Sequence, residues 1–237
     1  RPLPLPPSRK GRGDKEETGS VPSERVSLAG LFQPHDLLRI DAKAVAVLAR
    51  DLPPWAAASL AAIPWVVMRR AVAYGGLLPV GIRGNRRSER CAAWLPPAAV
   101  VECRTPEDLA AARAWHTHLH LAEIPALAVL DAVATLLAGL GWGPAGSVGF
   151  ELATGRPTAH PDSDLDIVLR APGRIISNEA SRLLAALGAL PVRVDVAVET
   201  PLGACSLAEI AAGGSAVVKS PTGPRLVRNP WAERAAA

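Results

Sequence analysis

The feature that most constrains this chain is Ser163-Asp164-Leu165-Asp166-Ile167-Val168-Leu169, preceded by the turn Gly146-Ser147-Val148-Gly149-Phe150. An apolar run carrying two carboxylates spaced i, i+2 reads as a strand, and alternation places Asp164 and Asp166 on one face of it. Two like charges at the end of a buried strand are costly unless a cation neutralises them. A hard divalent ion with oxygen ligands meets that need, and Mg²⁺ usually arrives together with a substrate phosphate. The Gly146-Ser147 turn supplies backbone N–H groups and a hydroxyl ahead of a short helix over Val148 to Thr154, a good seat for phosphate oxygens. A charged strand beside small helices implies an α+β fold, and the chemistry points to phosphoryl or nucleotidyl transfer.

Taken alone, Asp-x-Asp at a strand end is equally a solvated turn or cap. A later segment weighs against that. Val192-Arg193-Val194-Asp195-Val196-Ala197-Val198-Glu199 alternates strictly, with valines on one face and Arg193, Asp195 and Ala197 on the other. If the two strands are neighbours, Asp164, Asp166 and Asp195 converge at one sheet edge. Such a cluster can hold metal ions that grip the attacking and leaving oxygens of an in-line displacement.

The rest of the chain supports this frame. Its 237 residues suit one large or two modest domains, and an apolar content of 49% with only 4% aromatics calls for a core of small aliphatic side chains. A net charge of +4 suits an anionic ligand, but the basic residues are not interleaved with stacking aromatics as in a nucleic-acid binder. Cys91, Cys103 and Cys205 lie far apart without a Cys-x-x-Cys pair, which excludes a zinc knuckle and leads us to expect a reducing cytoplasm. The longest apolar stretch, Leu121 to Leu140, is broken by Glu123, Pro125 and Asp131, so no membrane span is expected.

Residues 1–30, rich in Pro, Gly, Ser and charge, are expected to be a disordered arm. An N-terminal α+β domain is expected over 31–120 and a catalytic domain over 121–237. In the first, the pattern predicts a helix over Asp41 to Asp51, strands over Pro64 to Arg70, Leu77 to Gly84 and Pro97 to Cys103, and a helix from Pro106 capped by Thr105. In the second it predicts helices over Pro125 to Ala138, Asn178 to Leu187 and Leu207 to Ala212. The strands there are Asp164 to Arg170, Val192 to Glu199, Ala216 to Lys219 and Pro224 to Val227.

Three further groups have two readings each. The turn bearing Arg83, Arg86, Arg87 and Arg90 is either a phosphate-binding surface or a solvated loop. Lys219 and Arg225 either reach a triphosphate or decorate a surface hairpin. His116 and His120 would share one helical face, but without a third ligand they read as exposed helix histidines rather than a zinc site.

Gly-Ser, then Asp-x-Asp, then a third Asp on a later strand resembles the polymerase-beta-type nucleotidyltransferase superfamily. The stretches GSVGFELATG, SDLDIVLR, RVDVAVETPLGA and GPRLVRNPW, with WVVMRRA, LLPVGIRG and AAWL in the first half, resemble one family within it. That family is the phosphoribosyl-dephospho-CoA transferases of malonate decarboxylase, its holo-acyl-carrier-protein synthases. The resemblance spans about residues 33–231. It implies a nucleotidyltransferase-like mixed sheet with helices in the C-terminal half, preceded by a smaller α+β domain. It implies the substrate 2′-(5″-triphosphoribosyl)-3′-dephospho-CoA and transfer to a serine of an acyl-carrier-protein subunit, with pyrophosphate released. Asp164 and Asp166 would be Mg²⁺ ligands, and Asp195 a third ligand or the acceptor of the serine proton. Gly146 and Ser147 would hold the β- and γ-phosphates, with Arg83, Lys219 and Arg225 as further substrate contacts. Two rivals remain open at this point. One keeps the fold with another acceptor, a citrate-lyase-type carrier or a small molecule; the other is an inactive nucleotidyltransferase fold that only binds.

Overall fold

The computed structural model describes residues 31–86 and 88–232. The predicted arm over 1–30 and Arg87 of the arginine-rich turn lie outside the described residues.

The first half builds an antiparallel sheet. In chain order it contains β1 (Leu37–Ile40), α1 (Ala42–Leu48), α2 (Pro54–Ala62), β2 (Trp65–Met68), β3 (Leu78–Arg83), β4 (Arg90–Leu95) and β5 (Val100–Arg104). The strand order is β4-β3-β2-β1-β5. α1 starts where the Asp41 carboxylate caps the Ala44 N–H at 2.7 Å. α2 starts at Pro54, where a missing N–H costs nothing. Leu60 from α2 and Leu38, Val66, Val80 and Leu95 from the strands form a buried core on one face of this sheet.

The second half builds a mixed sheet. It contains α3 (Pro106–Ala111), α4 (Pro125–Ala128), α5 (Leu130–Leu136), β6 (Gly141–Pro144), α6 (Gly146–Thr154), β7 (Leu165–Arg170) and α7 (Ser177–Gly188). There follow β8 (Val194–Thr200), β9 (Gly203–Ser206), α8 (Leu207–Ala212), β10 (Ala216–Ser220) and β11 (Gly223–Val227). The order is β11-β10-β9-β8-β7-β6, in which only β7 and β8 run parallel. α7 crosses between them, as a parallel pair requires. Its apolar face, including Ala180 and Leu187, meets Leu165, Ile167, Val196 and Val198 in the larger core.

The α+β expectation holds, with a mixed sheet in the C-terminal half preceded by a smaller α+β unit. The predicted helix over Pro125 to Ala138 is two short helices, α4 and α5. The segment over His116 to His120 is not a helix: a 3-10 turn over Ala114–Thr117 gives way to extended backbone at His118. The histidines therefore share no helical face. They pair with three separate carboxylates: His116 with Asp131 at 2.8 Å, His118 with Glu151 at 2.9 Å and His120 with Glu123 at 3.0 Å.

Two ion-pair groups and one apolar seam join the halves. Arg70 pairs with Glu199 of β8, while Arg170 of β7 reaches Asp36 at 3.1 Å and Glu107 at 2.7 Å. Leu37 and Trp65 of the first sheet pack with Leu109, Phe150 and Ala153 of the second half. Among the described residues no helix is long and apolar enough to cross a membrane.

Candidate active site

Between the two sheets lies a cleft of about 990 Å³, lined by Gly146, Asp166, Asp195 and Lys219 from the second half and by His35 and Arg69 from the first. The parallel register sets Asp166 opposite Asp195, so the two carboxylates stand on adjacent interior strands near their N-terminal ends. Gly146 opens α6 beside Asp166 with φ +59°, in the left-handed region. A methyl group there would overlap Asp166 Oδ2, so glycine is needed both for the backbone angle and for the space the carboxylate fills.

The electrostatics match the crowding. Burial between the cleft walls, then the charges of Asp195 and Asp164, push the Asp166 carboxyl above the ordinary aspartate range, and His35 and Arg83 only partly offset this. The ionised form of Asp166 is thus disfavoured first by burial and then by its two carboxylate neighbours. Asp195 has its own partner in Arg193 at 3.1 Å, a pair exposed enough to be weak.

Of the three aspartates, the structure brings two into the cleft. Asp164 ends the loop before β7 and does not line it. Among the described residues no group of three His, Cys, Asp or Glu stands close enough to hold a metal ion, so the three-ligand set is not assembled. Two carboxylates nevertheless fit magnesium, which commonly takes one or two protein carboxylates and completes its shell with water and substrate phosphates.

The remaining predicted residues separate in the same way. Arg83 lines a smaller neighbouring cavity that meets the cleft at Gly146. Ser147 lines neither cavity; its carbonyl accepts the Thr158 hydroxyl at 2.8 Å, which ties α6 to the loop leading to Asp164. Arg225, on the outer strand β11, also lines neither. Cys205 lines the cleft, but burial, followed by Glu209 and Glu199, pushes its thiol up to about 11, so it is no ready nucleophile.

Models of known families match both halves. One described as "Phosphoribosyl-dephospho-CoA transferase MdcG N-terminal domain" matches residues 33–106, and its C-terminal counterpart matches residues 103–230. The chain belongs to this family. A phosphoribosyl-dephospho-CoA transferase of Azotobacter vinelandii is 42% identical over 216 residues, covering 87% of this chain and 97% of its own length. Proteins of the same name from Pseudomonas putida and Klebsiella pneumoniae are 41% and 37% identical, each covering 84% of this chain and at least 95% of its own length. No solved structure matches.

Sequence reasoning missed several site residues of this phosphoribosyl-dephospho-CoA transferase family member. His35 lines both cavities from a backbone at φ +77°, uncommon for a residue with a side chain, and stands 3.4 Å from Glu199. Asp36 beside it is buried with Arg170, and Glu151 is fully buried. Glu151 accepts the Thr158 and Ala159 N–H groups at 2.7 and 2.6 Å and so fixes the loop before Asp164. The one sequence signal for Glu151 was a lone acid inside the apolar stretch Val148-Gly149-Phe150-Glu151-Leu152.

Proposed function

We propose that this chain transfers the phosphoribosyl-dephospho-CoA group of 2′-(5″-triphosphoribosyl)-3′-dephospho-CoA to a serine of an acyl-carrier-protein subunit of malonate decarboxylase, releasing pyrophosphate. The observation that carries it is the Asp166–Asp195 pair on parallel strands beside the Gly146 helix start, in a member of this family.

The nucleophile belongs to the carrier, so this chain positions and neutralises rather than attacks. The serine oxygen bonds to the α-phosphorus, the bridge to the β-phosphate breaks, and pyrophosphate leaves with the electron pair. Asp166 would hold Mg²⁺, which when bound supplies positive charge to the phosphate oxygens. Asp195, about half exposed in the cleft wall, would be either a second ligand of that ion or the acceptor of the serine proton. The backbone around Gly146 receives phosphate oxygens at close range, and Lys219 on β10 faces the substrate across the cleft.

Incubating the enzyme with purified apo carrier subunit, the triphosphoribosyl substrate and magnesium should add the mass of the prosthetic arm to the carrier, read by intact mass spectrometry. Mass gain only on a citrate-lyase-type carrier, or on none, would sink the assignment.

A further inference from the structure

The cavity beside the cleft, about 430 Å³, is lined by apolar groups such as Leu37, Val67, Ile82 and Phe150. Its charged lining consists of Arg69, Arg83 and Arg90, with no carboxylate among them. Arg83 and Arg90 are register partners on β3 and β4, which sets two cations side by side. Among the described residues neither Arg69 nor Arg83 has an ion-pair partner. Like charges directly opposite on a sheet are unfavourable, and at Arg83 the charges of Asp166 and Glu151 offset burial and Arg90 only in part.

The group is also built in place. The Ser59 hydroxyl of α2 donates to the Arg83 carbonyl at 2.6 Å, and a side chain at Gly84 would strike the Trp55 ring and Glu89. Arg156, from the loop after α6, holds Asn85 and stands 3.3 Å from Ser59 Oγ. The Arg83 guanidinium lies 6.0 Å from the Phe150 ring centre, and burial followed by Arg90 lowers its pKa to about 10. A cation already part-desolvated on an anchored backbone is a strong anion binder.

We infer that this cavity seats the leaving group: Arg69, Arg83 and Arg90 bind the β- and γ-phosphates as a diphosphate, while the larger cleft keeps the phosphoribosyl-dephospho-CoA portion. The inference rests on the transferase reading above. In-line displacement puts the incoming oxygen and the departing pyrophosphate on opposite sides of the α-phosphorus. The smaller piece fits the smaller cavity, and Gly146, shared by both cavities, lets the triphosphate cross without meeting a side chain. As the bridging bond breaks, charge builds on the pyrophosphate, where fixed guanidinium groups stabilise it most. The N-terminal sheet thereby gains a catalytic task.

Dephospho-CoA carries a diphosphate of its own, so the test separates the two sources. Pyrophosphate and 3′-dephospho-CoA are titrated calorimetrically into the full chain with EDTA present and without carrier protein. Arg83→Gln should weaken pyrophosphate about tenfold, the loss of one charged hydrogen-bonding group, and leave dephospho-CoA within about twofold, whereas Arg69→Gln, whose side chain lines both cavities, should weaken both. Lys219→Gln should do the reverse of Arg83→Gln. Unchanged pyrophosphate binding in both arginine variants overturns the site, and selective loss of dephospho-CoA instead overturns the leaving-group assignment. Arg83→Lys, with thermal unfolding of each variant, separates lost binding from lost folding. Because no transfer is measured, failure of the carrier assay leaves this result readable.

Discussion

At the residue scale the site is a place where charge is held against its preference. Asp166 is crowded by burial, Asp195 and Asp164, so its ionised form is destabilised in the fold. Asp166→Asn should cut the transfer rate by about 10²–10³-fold, as loss of a principal charge-positioning group does. The same change should leave the melting temperature equal or higher, because it removes repulsion; a clear drop in thermal scans would recast Asp166 as structural. Asp36 offers the pH test. Burial outweighs the nearby Arg170 and raises its carboxyl from 3.8 to about 6. A raised folded pKa means that its contribution is full below 3.8 and is lost as pH rises to about 6 and above. Asp36→Asn, which keeps an oxygen for the Gln33 N–H, should therefore gain on the wild type across that window, read by calorimetry at successive pH values.

At the element scale, position decides what a glycine does. Gly146→Ala would place a methyl group on Asp166 and force an L residue to φ +59°, so transfer should collapse with little change in the surrounding core. Gly143→Ala, in β6, would strike the Pro106 carbonyl at the start of α3 and should cost stability, at the upper end of about 1–3 kcal/mol. Denaturant melts with parallel activity assays distinguish the two outcomes. The elements legible in the sequence are those whose signals are local. Thr105 with Asp108 forms the capping box that starts α3, and the alternation of Val194, Val196 and Val198 marks β8. β6 and β9 were not legible, because Gly-Trp-Gly-Pro and Gly-Ala-Cys-Ser are turn-like and become strands only by pairing with β7 and β8. Alternation put each aspartate on a strand face, but the neighbouring of β7 and β8 entered the sequence reading only as a condition, and the parallel register that sets Asp166 opposite Asp195 is a tertiary feature. Asp164's departure from the strand face depended on where pairing begins, which local pattern does not encode.

At the scale of the whole molecule, the site exists because two sheets are held at one distance. Periodicity within either half carries no sign of the ties between them, so Arg70, Glu199, Asp36 and Arg170 were invisible as a group in the sequence. Burial opposes ionisation of Glu199, but the His35 imidazole and the Arg70 guanidinium outweigh it and hold its carboxyl below the usual value. A lowered folded pKa means that this stabilisation is present above 4.5 and is lost as pH falls below it. Arg70 and Glu199 are 16% and 10% exposed, so removing one partner strands a charge at the seam and should cost about 3 kcal/mol. A double-mutant cycle of Arg70→Gln and Glu199→Gln should return a coupling of about 1–3 kcal/mol at pH 7, shrinking as the solution is acidified. In the same variants the KM for the triphosphoribosyl substrate should rise while the core of each half stays folded, because His35 and Arg69 then no longer face Asp166 at a fixed separation. A coupling near zero at pH 7, or an unchanged KM, would mean that the apolar seam of Leu37, Trp65 and Phe150 alone sets the width of the cleft.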